Sequence, residues 1–129
     1  MLLETNQPIG FIPTANAEAA RSFYEHTLGL HFESDDQFAL VFRLGPARGT
    51  MLRVVRAGTF TPAPFTIFGW ETGSIETCVD ELARNGVEFL RFSYFEQDER
   101  GIWSSPGGAR VAWFKDPDGN TLSLSQHPD

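Results

Sequence analysis

Short runs of alternating apolar and polar residues fill most of this chain, broken twice by stretches of helical period. Ile9 to Thr14 reads as a first strand. Asn16 is placed as an N-cap, and Ala17 to Leu28 predicts a helix with Ala20, Phe23, Tyr24, Thr27 and Leu28 along one side. Gly29 supplies a C-terminal stop. Leu30–Glu33, Phe38–Leu44 and Thr50–Arg56 follow as three predicted strands, the middle one alternating with Phe38, Leu40, Phe42 and Leu44 on one face. A Gly/Thr/Pro-rich stretch, Gly58–Pro64, then reads as a linker.

After the linker the order repeats. Phe65–Glu71 predicts a strand, Ser74 a cap, and Ile75–Asn85 a helix whose apolar stripe is Ile75, Cys78, Val79, Leu82 and Ala83. Gly86 ends it, Val87–Phe95 reads as a strand, a long polar loop intervenes, and Arg110–Lys115 and Thr121–Gln126 form a closing hairpin. The hairpin signal is Asp116-Pro117-Asp118-Gly119-Asn120, in which Pro117 fixes φ, Gly119 can take positive φ, and Asp116 and Asn120 can bond the local backbone. The two caps stand 58 residues apart and the two stop glycines 57 apart, which points to an internal duplication. The expected fold class is α+β: one domain over 1–129, built of a βαβββ module at 8–57, the linker 58–64 and a second module at 65–127. A helix on one face of each small sheet leaves the other face as a concave surface, and two such sheets together would wall a cleft.

Composition sharpens this picture modestly. At 129 residues the chain can bury a real core, and twelve Phe and three Trp predict a packed interior, a hydrophobic pocket or both. A net charge of −7 disfavours nucleic acid as a partner. Cys78 is the single cysteine, so no intrachain disulfide can form; a buried thiol and a reducing, cytoplasmic setting are expected. The N-terminus has neither basic residues nor a long apolar core, so no signal peptide is expected, and no apolar run predicts a membrane span.

Three motifs stand in order on the duplicated pattern: Arg21-Ser22-Phe23-Tyr24 with Leu28-Gly29-Leu30; Val79-Asp80-Glu81-Leu82 with Asn85-Gly86-Val87-Glu88-Phe89; and Phe114-Lys115-Asp116-Pro117-Asp118-Gly119-Asn120. Together they resemble the vicinal oxygen chelate superfamily, which includes glyoxalase I, extradiol dioxygenases, and fosfomycin and bleomycin resistance proteins. The resemblance implies a cup-shaped curved sheet (the glyoxalase/bleomycin resistance/dioxygenase fold) and a homodimer. It leaves the chemistry open, since this fold carries isomerases, dioxygenases, thiol transferases and non-catalytic drug binders.

The resemblance also implies a divalent metal held by His and Glu at cup-facing strand positions. Several such donors would have to converge on the ion at about 2 Å. Aligned by helix and turn landmarks, those positions fall at Ile9, near Arg53, near Ile67 and at Ser123. Arg53 would repel a cation, and a one-residue slip to Gly10, Leu52, Phe68 and Leu122 is no better. His26, His31 and His127 read as surface histidines. No metal and no other cofactor is therefore expected.

By alternation the cup would instead carry Ile9, Phe11, Met51, Arg53, Val55, Phe65, Ile67, Glu71 and the hydroxyls of Thr121, Ser123 and Ser125. Candidate ligand contacts are Phe11, Arg53, Ile67, Glu71, Trp103, Trp113 and Ser123. Arg53 suits a carboxylate, or pairs with Glu71, or lies on the surface. Trp103, in the long segment Glu96–Gly108, would close over a ligand, insert into a dimer interface or pack on its own domain; the face of Trp113 is unassigned. No nucleophile with its base is found, and Glu71 is a catalytic candidate only as a general base, if buried. Three readings follow: a metal-independent binder of a small organic molecule, a lyase, isomerase or dioxygenase relative with atypical ligands, and an interaction subunit whose cup is filled by its own side chains.

Overall fold

The computed structural model describes residues 2–129. The chain forms two compact units, Met1–Thr61 and Pro62–Asp129, and the boundary falls inside the predicted linker.

In the first unit the strands are β1 (Ile9–Thr14), β2 (His31–Asp35), β3 (Ala39–Leu44) and β4 (Thr50–Arg56), with helix α1 (Ala17–Ser22) between β1 and β2. The sheet order is β1-β4-β3-β2, with β1 parallel to β4 and the other pairs antiparallel. Asn16 caps α1 as predicted, its Oδ1 accepting from the Ala19 N–H at 3.1 Å. The predicted helix does not run regularly to Leu28. From Phe23 to Thr27 it widens into a π-type turn, in which the Leu28 N–H bonds the Phe23 carbonyl at 2.9 Å. The Leu30 N–H then reaches the Tyr24 carbonyl at 2.9 Å across Gly29, whose φ of +75° ends the turn.

Ile12, Ala20, Tyr24, Leu40, Phe42, Leu52 and Val54 are buried and make this unit's core. The Tyr24 and Phe42 rings lie 5.9 Å apart. Strand β3 differs from its predicted pattern. Ala39 and Val41 on its second face are as buried as Leu40 and Phe42. Phe38 is 75% exposed, because the Asp36 carboxylate accepts from the N–H groups of both Phe38 and Ala39 and holds Phe38 in the bend before the strand.

The second unit repeats the order. Its strands are β5 (Thr66–Glu71), β6 (Trp103–Ser104), β7 (Arg110–Lys115) and β8 (Thr121–Gln126), with α2 (Ile75–Arg84) after β5. The sheet order is β5-β8-β7-β6, again with one parallel pair, β5 with β8. The fold is therefore α+β with two four-stranded mixed sheets, as expected. Ile75 and Val79 of α2 are buried and Cys78 is half-buried, its Sγ 3.0 Å from Thr72 Oγ1, whereas Ala83 is exposed. Ser74 does not cap α2 with its side chain; its hydroxyl donates to Thr77. The Ile75 N–H is taken instead by Gln126 Oε1 of β8 at 2.9 Å, while Gln126 Nε2 donates to the Gly73 carbonyl.

Val87–Phe95 is not a strand. Only Phe89 bridges to Phe114, and the Leu90 N–H to the Trp113 carbonyl, before the backbone turns away. Beyond that point the edge of β7 pairs with Trp103–Ser104.

Several surface charges of the first unit are paired. Arg56 forks onto both oxygens of Asp35 at 2.7 Å, and with the Gln37 N–H it holds the Asp35 carboxyl at about 2. Since the folded carboxyl ionises below its ordinary 3.8, the pair adds stability above that pH and loses it as pH falls towards 2. In a carboxyl NMR titration Asp35 should ionise near pH 2, and Arg56→Gln should move that midpoint up towards 3.8.

Candidate functional site

The hairpin of β7 and β8 sets the register of the second sheet's open face, the face away from α2. Asp116 Oδ1 accepts from the N–H groups of Asp118 and Asn120, both at 2.9 Å, and Gly119 takes φ +88° with Pro62 packed against it. Trp113 then stands opposite Ser123, and Lys115 opposite Thr121. Across β8, Gly69 opposes Ser123, Glu71 opposes Ser125 and Thr66 opposes Thr121. Two rows result, Trp113–Ser123–Gly69 and Lys115–Thr121–Thr66. They are separated by two residues along each of β7 and β8, about 7 Å.

This corrects the expected position of Ile67. A register shift between Thr66 and Phe68 leaves Ile67 without a cross-strand partner, and Gly69 takes the place opposite Ser123. The exchange has a steric reason. A Cβ on Gly69 would press on the Ser123 hydroxyl and lie 2.9 Å from the Ser123 carbonyl oxygen.

The segment read as a strand instead folds onto this face and covers part of it with aromatic rings. Phe95 lies parallel to Trp113, within 6° and at 5.4 Å, and stacks on Trp103 at 4.4 Å. Phe92 meets Trp113 edge-on at 5.3 Å. The face of Trp113 is thereby assigned: it points to this cluster. Polar side chains hold the segment in place. Gln97 Nε2 donates to the carbonyls of Leu90 and Gly101, and Gln97 Oε1 accepts from the Phe92 N–H, all at 2.8 Å. Arg91 donates to the carbonyls of Asp98 and Glu99, and Asp98 Oδ1 accepts from Arg100 and Ile102. Of the three readings of the segment Glu96–Gly108, packing on its own unit is the one seen: it is a tied loop that passes through β6 and is anchored by buried Ile102.

Beside the cluster lies a hollow of about 580 Å³. Pro62 to Thr66 form one side, Leu90, Phe92, Tyr94 and Phe95 the other, with Trp113, Lys115, Gly119 and Thr121 completing it. Aromatic rings share its lining with Lys115 and with Thr66 and Thr121.

The Glyoxalase/Bleomycin resistance protein/Dioxygenase superfamily matches residues 7–124 of the sequence. The chain belongs to this superfamily. Solved structures of similar fold include a superfamily member from Sphaerobacter thermophilus, with a TM-score of 0.74, 23% identity and coverage of 95% of this chain and 98% of that one. A protein of the same description from Alicyclobacillus acidocaldarius gives a TM-score of 0.71 at 15% identity, covering 100% and 96%. One from Nocardioides gives 0.69 at 20% identity, covering 99% and 89%. At such identities the likeness shows the fold alone. No curated protein matches the chain significantly.

A superfamily metal would need imidazole or carboxylate donors on the open faces. The residues present do not fit it. Ile9 and Arg53 stand at the first unit's positions, and Gly69 and Ser123 at the second's. Among the described residues, no three His, Cys, Asp or Glu side chains are grouped to hold an ion.

The expected ligand contacts separate into groups. Trp113 lines the hollow, Trp103 joins its aromatic cluster, and Ser123 is buried beside Trp113 over Gly69. Ile67 and Glu71 do not line the hollow. Glu71 is exposed, accepts from the His127 N–H at 2.8 Å and is also bonded by the His127 ring. These bonds hold its carboxyl below the ordinary range, so the burial that a general-base role required is absent. Phe11 and Arg53 face each other in the first sheet, where Phe11 is 61% exposed and Arg53 is paired to Asp36 at 2.9 Å. Asp36, and not Glu71, is the partner of Arg53.

Sequence reasoning missed Phe92, Tyr94, Phe95 and Lys115 as site residues. A signal existed for the aromatics: three rings within four positions, followed by Glu96-Gln97-Asp98, lack the alternation of a strand. Lys115 follows from Trp113 by the two-residue period, once that face is assigned.

Two stability tests follow. Gly69→Ala should cost about 1–3 kcal/mol in urea unfolding, since both the Ser123 side chain and backbone must move. Gln97→Ala should cost about 1–3 kcal/mol, speed exchange of the Phe92 N–H and alter tryptophan fluorescence as Phe95 loosens from Trp103 and Trp113.

Proposed function

We propose that this superfamily member binds a small organic molecule against the aromatic open face of its second sheet, independently of a metal ion. The observation that carries the reading is the 580 Å³ hollow walled by Phe92, Tyr94, Phe95 and Trp113. Aromatic walls contribute most to a flat, apolar ligand that can lie against a ring face or edge. Metal independence is supported by the absence of donor chemistry at Ile9, Arg53, Gly69 and Ser123. A homodimer belongs to the reading, and the exposure of Ile9 and Phe11 on the edge strand β1 supports it.

A second reading draws support from one observation. Phe95 already stacks on both Trp103 and Trp113, as in a protein whose open face is closed by its own side chains. The hollow beside this stack favours the first reading.

Titration of the protein with a panel of bicyclic aromatic compounds, followed by tryptophan fluorescence and calorimetry, separates the two. Saturable one-site binding is expected. It should weaken about ten-fold in Tyr94→Ala, since Tyr94 lines the hollow yet is 74% exposed and lies outside the core. Dialysis against a chelator should leave affinity unchanged. No saturable binding by any member would favour the self-filled face, and loss of binding on chelation would overturn metal independence.

A further inference from the structure

Among the described residues, Lys115 is the only charged side chain lining the hollow. Its situation differs from that of five arginines held by carboxylates. Arg43 is held by Glu33, Arg53 by Asp36, Arg56 by Asp35, Arg100 by Asp80 and Arg110 by Glu76. Among the described residues, no carboxylate lies within ion-pair distance of the Lys115 ammonium. The nearest acid in sequence, Asp116, is buried under the turn with its oxygens bonded by Asp118 N, Asn120 N and Asn120 Nδ2. In a chain of net charge −7, an ammonium left uncompensated beside an aromatic hollow is a positive point in a negative field.

The register gives this charge a direction. Lys115 lies two residues from Trp113 on the same face of β7, and its row continues through Thr121 to Thr66. A flat ring set against Trp113 and Phe92 would therefore have the row of Lys115, Thr121 and Thr66, with its ammonium and two hydroxyls, as the next row along β7 and β8. Those groups favour an acceptor-rich anionic substituent and disfavour a cationic one.

We infer that the ligand of this hollow is a planar aromatic acid, its ring stacked among Trp113, Phe92 and Tyr94 and its carboxylate paired to Lys115 with support from Thr121 and Thr66. This rests on the proposed small-molecule role and adds the chemical class. It also moves the anion site from Arg53, which Asp36 occupies, to Lys115.

Three probes of one shape test it: 2-naphthoate, 2-naphthamide and 2-naphthylmethylammonium, titrated into the full chain at low and at physiological salt. Naphthoate should bind about five-fold more tightly than the amide, the size of effect expected for a solvent-accessible ion pair, and the ammonium compound weakest. Salt should narrow the difference. Lys115→Met keeps the side chain's length and should abolish the preference, bringing naphthoate and the amide to the same affinity. If the amide or the ammonium compound binds as well as naphthoate, or if the preference survives Lys115→Met, the charge assignment is wrong while the aromatic site stands. If none of the three binds saturably, both readings fall.

Discussion

The open face of the second sheet depends on the register of one hairpin, and that register is fixed by the Asp116 carboxylate. Its oxygens take up the N–H groups of Asp118 and Asn120 and the Asn120 side-chain amide, which favours this closure of the turn over its alternatives. A one-residue slip would turn every side chain of β8 to the opposite face. With the register set, Leu122 and Leu124 go to the core, Ser123 lies over Gly69, and Trp113 and Lys115 share the open face.

From that face the rest of the site follows by packing. A sheet that exposes Trp113 and Trp103 must either leave apolar surface in water or cover it. The chain covers it with its own segment, and Phe92 and Phe95 make ring contacts instead of ladder bonds. The backbone groups that such a segment leaves out of the sheet still need partners. Gln97, Arg91 and Asp98 provide them, which explains why so polar a stretch follows so aromatic a one. The cover is incomplete, and the gap is the hollow.

The charges tell a parallel story. Six carboxylates are held by arginines at bonding distance, and the depressed carboxyl pKa values of Asp35, Asp36, Glu76 and Asp80 follow from those bonds and from backbone donors. Local pairing consumes the cations that would otherwise be candidate anion sites, Arg53 among them. What distinguishes Lys115 is its placement at the edge of the aromatic face without such a partner.

Much of the fold was readable from the residues. The strands Ile9–Thr14, Thr50–Arg56, Arg110–Lys115 and Thr121–Gln126 alternate and are bounded by turn residues, and Asn16 acts as the cap its side chain suits. These are local properties, set by period and by short-range hydrogen bonding. Tertiary structure decided the rest. Phe92, Tyr94 and Phe95 have high strand propensity but leave the sheet, because Trp103–Ser104 takes the available edge of β7 and Gln97 offers the backbone other partners. The bulge at Ile67 was equally hidden, since it answers a close approach between Gly69 and Ser123, over fifty residues away in sequence. Asp36 as the partner of Arg53 and Gln126 at the start of α2 are likewise meetings between distant positions. The sequence by itself determined which segments pleat, coil and turn. Which of their side chains meet to form a site was decided only where the chain packs on itself, because burial and pairing depend on neighbours that local pattern does not specify.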